Sequence, residues 1–257
     1  FDKSVVPVYD LDGKLLLDKD EIIRPTTTAE SLQALKPSFL QMGQSGYDGI
    51  VLKKYTSIES INHVHHAGNS SGIVDGAALV LLGNEAVGQK AGLKTRAKVT
   101  MAAVTGSEPT IMLTGTTPAC QKALKKAGLT VADIDLWEIN EAFAMVPMIA
   151  MKELGIPAEK LNVNGGATAL GHPIGASGAR IITTLVAALK HHGKKRGVAS
   201  LCIGGGEATD AESDDEDREA GPVGVTMRQI TLAPERFVTR VERPQLVVGH
   251  WLTFHSA

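Results

Sequence analysis

The stretch IDLWEINEAFAMVPMIAMKELG, residues 134–155, decides the fold. Its first six residues predict a strand, which runs straight into Asn140-Glu141-Ala142-Phe143. A helix is predicted from there to Leu154, closed by Gly155. A strand that turns straight into a helix is the repeating unit of α/β architecture. The same alternation extends outward. Downstream, residues 177–191 predict a long apolar helix ended by Gly193, and residues 198–203 a buried strand running into Gly204-Gly205-Gly206. Upstream, residues 97–104 predict a strand, 118–127 a helix ended by Gly128, and 131–133 a short turn. The expectation is an α/β fold with βαβ units and a mixed sheet covered by helices.

Farther upstream the pattern weakens. Residues 85–91 predict a short helix closed by Gly92, after the apolar run Asp75-Gly76-Ala77-Ala78-Leu79-Val80-Leu81-Leu82. Residues 41–60 contain Gly and Ser, show little periodicity and are read as an inserted loop. Thr26-Thr27-Thr28-Ala29-Glu30 predicts a helix start, with Leu32, Leu35 and Phe39 at helical spacing after it. At the other end, residues 210–219 (DAESDDEDRE) hold seven acidic residues and one Arg, and are expected to be solvated and disordered. Residues 221–257 contain strand-like runs such as Gln229-Ile230-Thr231-Leu232 without clear organisation, and no internal repeat is visible.

Composition bounds the function. Of 257 residues 43% are hydrophobic, 21% charged and only 4% aromatic, which describes a soluble chain with an aliphatic core. A formal charge of −2 gives no bulk basic field for nucleic acid or an anionic membrane, and no apolar run is long enough to span a bilayer. Two cysteines, Cys120 and Cys202, do not make a disulfide framework, so reduced thiols in the cytoplasm are expected. The chain opens on Phe1 with no targeting segment apparent, and its start reads as the edge of a fragment.

Three loops carry chemistry-bearing residues where α/β folds place ligands. They are Asn140-Glu141-Ala142-Phe143, the long run from Asn164 to Gly178 with His172 inside it, and Cys202-Ile203-Gly204-Gly205-Gly206. Glycines let a backbone approach a ligand and leave amides free to donate, and a His and a Cys among them suggest acyl chemistry. Each loop taken singly has a plainer reading: a helix cap, a tight turn, a small buried hydrophobe. The run His63-x-His65-His66 has no acidic or Cys partner at ligand spacing, so no metal is expected there. His191-His192 beside Lys194-Lys195-Arg196 suits the end of a helix dipole.

Together, in this order, the loops resemble the thiolase family. NVNGGATALGHPIGASGAR (162–180) is similar to the signature around the family's catalytic histidine, LCIGGGEA (201–208) to that around its second cysteine, and NEAFA (140–144) to its third active-site loop. HAGNSSGIVDGAA (66–78) resembles the segment that approaches the coenzyme A pantetheine, and the insertion at 41–60 is similar to one in bacterial acetyl-CoA acetyltransferases. The resemblance runs from about Lys14 to Thr209. It implies a thiolase-like fold whose N-terminal half is missing. The implied divisions are 1–65 as part of a loop domain with the insertion at 41–60, 66–105 as the end of the N-terminal domain, 106–209 as the C-terminal domain and 210–257 as an acidic, disordered tail outside the family.

The resemblance also implies roles. His172 would activate the nucleophilic thiol and serve an oxyanion hole, Cys202 would move protons as general acid or base, and Asn140 would serve the second oxyanion through a water. A neighbour would lower the Cys202 pKa toward neutrality. Gly205 would add a backbone N–H, Ser71 would touch pantetheine, and Glu141 would orient its neighbours. Cys120 begins a helix, a position that can lower a thiol pKa, yet the family uses that segment structurally. No nucleophilic cysteine of the family is present, so the chain alone is expected to be inactive. The substrate would be an acyl-CoA, with coenzyme A as substrate rather than bound cofactor, and the partner a complementing N-terminal region or a homo-oligomer. The alternatives are a non-catalytic coenzyme-A-binding or interaction protein, and a translation product without function.

Overall fold

The computed structural model describes residues 5–202 and the backbone of residues 223–228. In chain order, β1 (Val8–Tyr9) and β2 (Leu15–Leu17) make a small antiparallel pair. Next come α1 (Ala29–Gln33), α2 (Leu40–Met42), a wide turn over Gly43–Tyr47, and α3 (Asp48–Lys54). After α4 (Glu85–Lys90) the main body begins: β3 (Lys98–Val104), α5 (Thr116–Ala127), β4 (Leu136–Ile139), α6 (Met145–Leu154), α7 (Ala167–Leu170), α8 (Ile174–His191), β5 (Arg196–Leu201) and β6 (Val223–Arg228).

The main sheet has the order β3-β6-β5-β4. Its β4 and β5 are parallel, while β6 runs antiparallel to both β5 and β3, so the sheet is mixed as expected. Side chains alternate faces along a strand, and here the alternation sorts two cores. Trp137, Ile139 and Val198 pack with Cys120 and Leu124 of α5 and Val146 and Ala150 of α6. Leu136 and Ala199 pack on the other face with Ile181, Leu185, Ala188 and Leu189 of α8. The sheet is covered by helices on both sides.

Local sequence explains the helix ends. Gly128 and Gly155 close α5 and α6 in the left-handed region, at φ 65° and 69°. The outer edge of β4 is also finished. Trp137 forms a parallel bridge with Leu161, and the Asn162 N–H donates to the Trp137 carbonyl at 2.8 Å. The Asn162 side-chain amide then accepts from the Ile139 N–H and donates to the Ile139 carbonyl, both at 2.8 Å.

Three expectations need correction. The stretch 41–60, read as a loop, is largely helical through residue 54, and it bends at Gly46, whose φ of 120° only glycine adopts easily. Asp48 in the first turn of α3 and Lys53 and Lys54 in its last suit the helix dipole. The helix beginning after Thr28 has the expected N-cap, with a reciprocal Thr28–Ser31 capping box, but stops at Gln33 rather than reaching Phe39. Lys98–Val104 pairs with β6 in the main sheet. Val223–Arg228, in the stretch expected to be disordered, is a strand between β3 and β5. The acidic run 210–219 lies outside the described residues.

Candidate active site

The site is built at the ends of β4 and β5. The two strands pair in register with Ile139 opposite Ser200, and the Asn140 N–H continues the ladder by donating to the Ser200 carbonyl at 2.9 Å. Asn140 and Cys202 therefore stand at the same edge of neighbouring parallel strands. Alternation from Leu136 turns Glu138 and Asn140 toward α8. Asn140 is 1% exposed, and its Oδ1 accepts a long 3.4 Å hydrogen bond from Nη2 of Arg180 on α8. Its Nδ2 has no partner among the described residues. Glu138, 2% exposed, lies in the fields of Arg180 and Glu141. Burial pushes its carboxyl up to about 8, against the pull of Arg180.

Glu141 shapes the loop that presents the histidine. Its carboxylate accepts from the Asn162 amide at 2.9 Å and from the Thr168 N–H at 3.0 Å. A Cβ at Gly166 would overlap that carboxylate, so the close approach requires glycine there. His172 follows α7, and its backbone N–H donates to the Gly72 carbonyl at 2.9 Å. Its Nδ1 lies 2.5 Å from the Ser177 Oγ, which in turn donates to the Pro173 carbonyl at 3.0 Å. With the hydroxyl proton assigned to Pro173, Nδ1 is assigned as the donor and Nε2 as the acceptor. Burial, with help from the Arg180 charge, holds the imidazole below its usual 6.5, which favours the neutral ring.

Residues 66–72 lie along both loops. Ser70 bridges Phe143, and the Ala144 N–H donates to the Asn69 carbonyl at 2.9 Å. Ser71 donates from both its N–H, at 3.1 Å, and its hydroxyl, at 3.0 Å, to the Ala142 carbonyl. That hydroxyl oxygen keeps acceptor capacity. The three histidines upstream each have a local role. His63 pairs with Asp48 at 2.9 Å, His65 packs between Phe39 and Phe143, and the His66 Nδ1 accepts from the Gly68 N–H at 3.1 Å. At the end of α8, His192 is the C-cap and stacks edge-on against His191.

The thiols stand apart from the α8 face. Cys202, 6% exposed, packs in the cluster with Cys120, Leu113 and Trp137, across the sheet from α8. Burial raises its pKa, whereas a lowered one was expected, because desolvation disfavours the thiolate. Cys120 is fully buried inside α5, not at its free end, and desolvation pushes its thiol up to about 11. It is a small core hydrophobe. The structure thus joins Asn140 and His172 through α8 and sets Cys202 at the same sheet edge with its thiol on the other face. Gly205 lies outside the described residues. Reading the motifs alone missed Arg180, Ser177 and Glu138. Their signal was available: Ser177 and Arg180 are three apart on one helix face, and Glu138 shares a strand face with Asn140.

Residues 93–212 match the family model described as Thiolase, C-terminal domain. The chain is 44% identical over 213 residues to a 3-ketoacyl-CoA thiolase of Aliivibrio fischeri, covering 80% of this chain and 50% of that protein. Among solved structures it is similar to an acetyl-CoA acetyltransferase of Bacillus anthracis, with TM-score 0.70 and 35% identity over 90% of this chain and 50% of that one. A human mitochondrial 3-ketoacyl-CoA thiolase gives TM-score 0.66 and 34% identity over 88% and 49%, and the same human protein is matched in complex with CoA. The chain spans about half the length of the curated relatives it matches.

Proposed function

Because this chain carries the thiolase C-terminal domain, we propose that it supplies the acid/base half of a site that exchanges acyl groups between a carbon acid and coenzyme A. The reaction is thiolysis of a 3-ketoacyl-CoA, or its reverse, condensation of two acetyl-CoA. The observation that carries this reading is the His172–Ser177–Pro173 chain, which orients a buried imidazole whose pKa is held below its usual value, in the field of the same Arg180 that bonds Asn140.

Nε2 of His172 takes the proton of a nucleophilic thiol, and the thiolate attacks the keto carbon. The N–H thereby formed at Nε2 then donates to developing oxyanions. Nδ2 of Asn140, turned away from Arg180, is a second donor, acting through a water at the enolate oxygen. When the carbon–carbon bond breaks, the Cys202 thiol, turning from its packing beside Cys120 at the strand end, gives its proton to the enolate carbon and releases acetyl-CoA. The Cys202 thiolate then takes the proton of the incoming coenzyme A thiol, whose sulfur attacks the acyl-enzyme carbonyl, releases acyl-CoA and returns the nucleophilic thiolate. A raised pKa suits this order, because Cys202 begins as a thiol. The backbone N–H of Gly205 joins the donors, and Ser71 accepts from the pantetheine amide. Neither Cys120, in the core, nor Cys202 is the acyl carrier, so these 257 residues alone give no turnover. A complementing thiolase N-terminal region provides the nucleophile, within a cytoplasmic homo-oligomer of fatty-acid metabolism.

The test mixes or fuses the chain with a thiolase N-terminal half and follows loss of acetoacetyl-CoA in the presence of coenzyme A. Turnover is expected only in the combination, and His172→Ala and Cys202→Ala each abolish it. Coenzyme A binding without turnover, unchanged by Cys202→Ala, would overturn the enzymatic reading in favour of a binding protein.

A further inference from the structure

Arg180 belongs to none of the three loops, yet it bonds Asn140 and its charge acts on His172. It lies one helical turn after Ser177 on α8, so the side chain that holds the His172 ring and the side chain that reaches Asn140 share a helix face. A guanidinium has donors only. It can therefore accept the Asn140 side chain next to it in one orientation, with Oδ1 inward. The opposite flip would set the amide NH2 against the cation. Asn140 is 1% exposed and no other side chain among the described residues bonds its amide, so this contact alone chooses the flip. The titratable groups facing Arg180 are Glu141, whose carboxylate attracts it, Glu138, which burial keeps protonated up to about pH 8, and His172, which it disfavours as a cation.

We propose that Arg180 is a positioning residue: it fixes the Asn140 amide with its carbonyl toward α8 and its NH2 toward the reacting oxygen. This rests on the thiolase reading for its catalytic consequence but not for its geometry. Arg180 touches no reacting atom. Its effect runs through Asn140 and, electrostatically, through His172.

Two measurements separate these levels. In the isotopically labelled chain, NMR follows the Asn140 side-chain NH2 signals and the titration of the His172 ring in the wild type, Arg180→Lys and Arg180→Met. Arg180→Met is expected to shift or broaden the Asn140 NH2 pair and to move the His172 pKa back toward 6.5. Arg180→Lys is expected to preserve the His172 titration and still disturb Asn140, since an ammonium lacks the planar fork. In the complemented enzyme, Arg180→Met is expected to lower kcat by about 10²-fold with KM little changed, the effect of a misplaced group. An unmoved Asn140 NH2 pair in folded Arg180→Met, or an unchanged kcat, would overturn the proposal. If Arg180→Met does not fold, Arg180→Lys carries the test, and an undisturbed Asn140 NH2 pair there is equally decisive against it. Absence of turnover in the wild-type combination would sink the thiolase reading while leaving the NMR arm to judge Arg180.

Discussion

Residues 113–202 and residues 5–93 are folded by different means. The first block contains nearly the whole buried core of the described residues, in two clusters on either side of a sheet. The second has no buried hydrophobic side chain and leaves Leu79, Leu81 and Leu82 exposed at 89%, 76% and 66%. It is held instead by polar ties: the Thr28–Ser31 box, the His63–Asp48 pair, and Lys54 and Tyr55 on Glu108. The contrast teaches that hydrophobic residues need alternation and a facing layer before they make a core.

Truncations should read this contrast most strongly. Trp137→Ala is expected to cost about 3–5 kcal/mol in denaturant unfolding, whereas Leu81→Ala should stay within about 0.5 kcal/mol. Equal costs would erase the distinction. Glycine substitutions come next. Gly166→Ala should cost about 1–3 kcal/mol, because its Cβ meets the Glu141 carboxylate, and Glu141→Ala should relieve much of that cost. Gly83→Ala has open space around it and should change the melting temperature little.

The pH response should differ in sign. The folded state raises Glu138 from 4.5 to about 8, so it keeps a proton that the unfolded chain has lost. The contribution of Glu138 is complete below pH 4.5 and is lost as pH rises toward 8, and Glu138→Gln should flatten that decline in a stability–pH curve. Glu108 is lowered, first by its bond from Lys54 and then by Tyr55. Its contribution is present above pH 4.5 and is lost on acidification, so acid should loosen residues 54–55 before it loosens the sheet, as hydrogen exchange would show. Smallest of all, Thr28→Ala should cost about 1 kcal/mol, confined to α1 and visible in exchange rather than in the global melt.

The same division decides what was legible in the sequence. In the sheet block, helix ends at Gly128 and Gly155 and the strand before Asn140 could be read directly, because periodicity and left-handed glycines agree there. In residues 40–54, Gly43 and Gly46 argued for a loop, and the helix was missed because its support, the His63–Asp48 pair, comes from outside the segment. The strand at Val223–Arg228 was hidden for a related reason: its place depends on a gap between β3 and β5 that only the assembled sheet defines. Within the site, motif residues were visible one by one. The alternation that faces Asn140 to α8 and Cys202 away from it emerges only once the strands are paired.

The amide of Asn162 has a consequence for behaviour in a crowded solution. By occupying both backbone groups of Ile139, on the last strand of the sheet, it imitates the neighbour that a foreign β-segment would otherwise become. An open strand margin recruits other chains, and a side chain locked across it acts as a stopper against fibril-like growth.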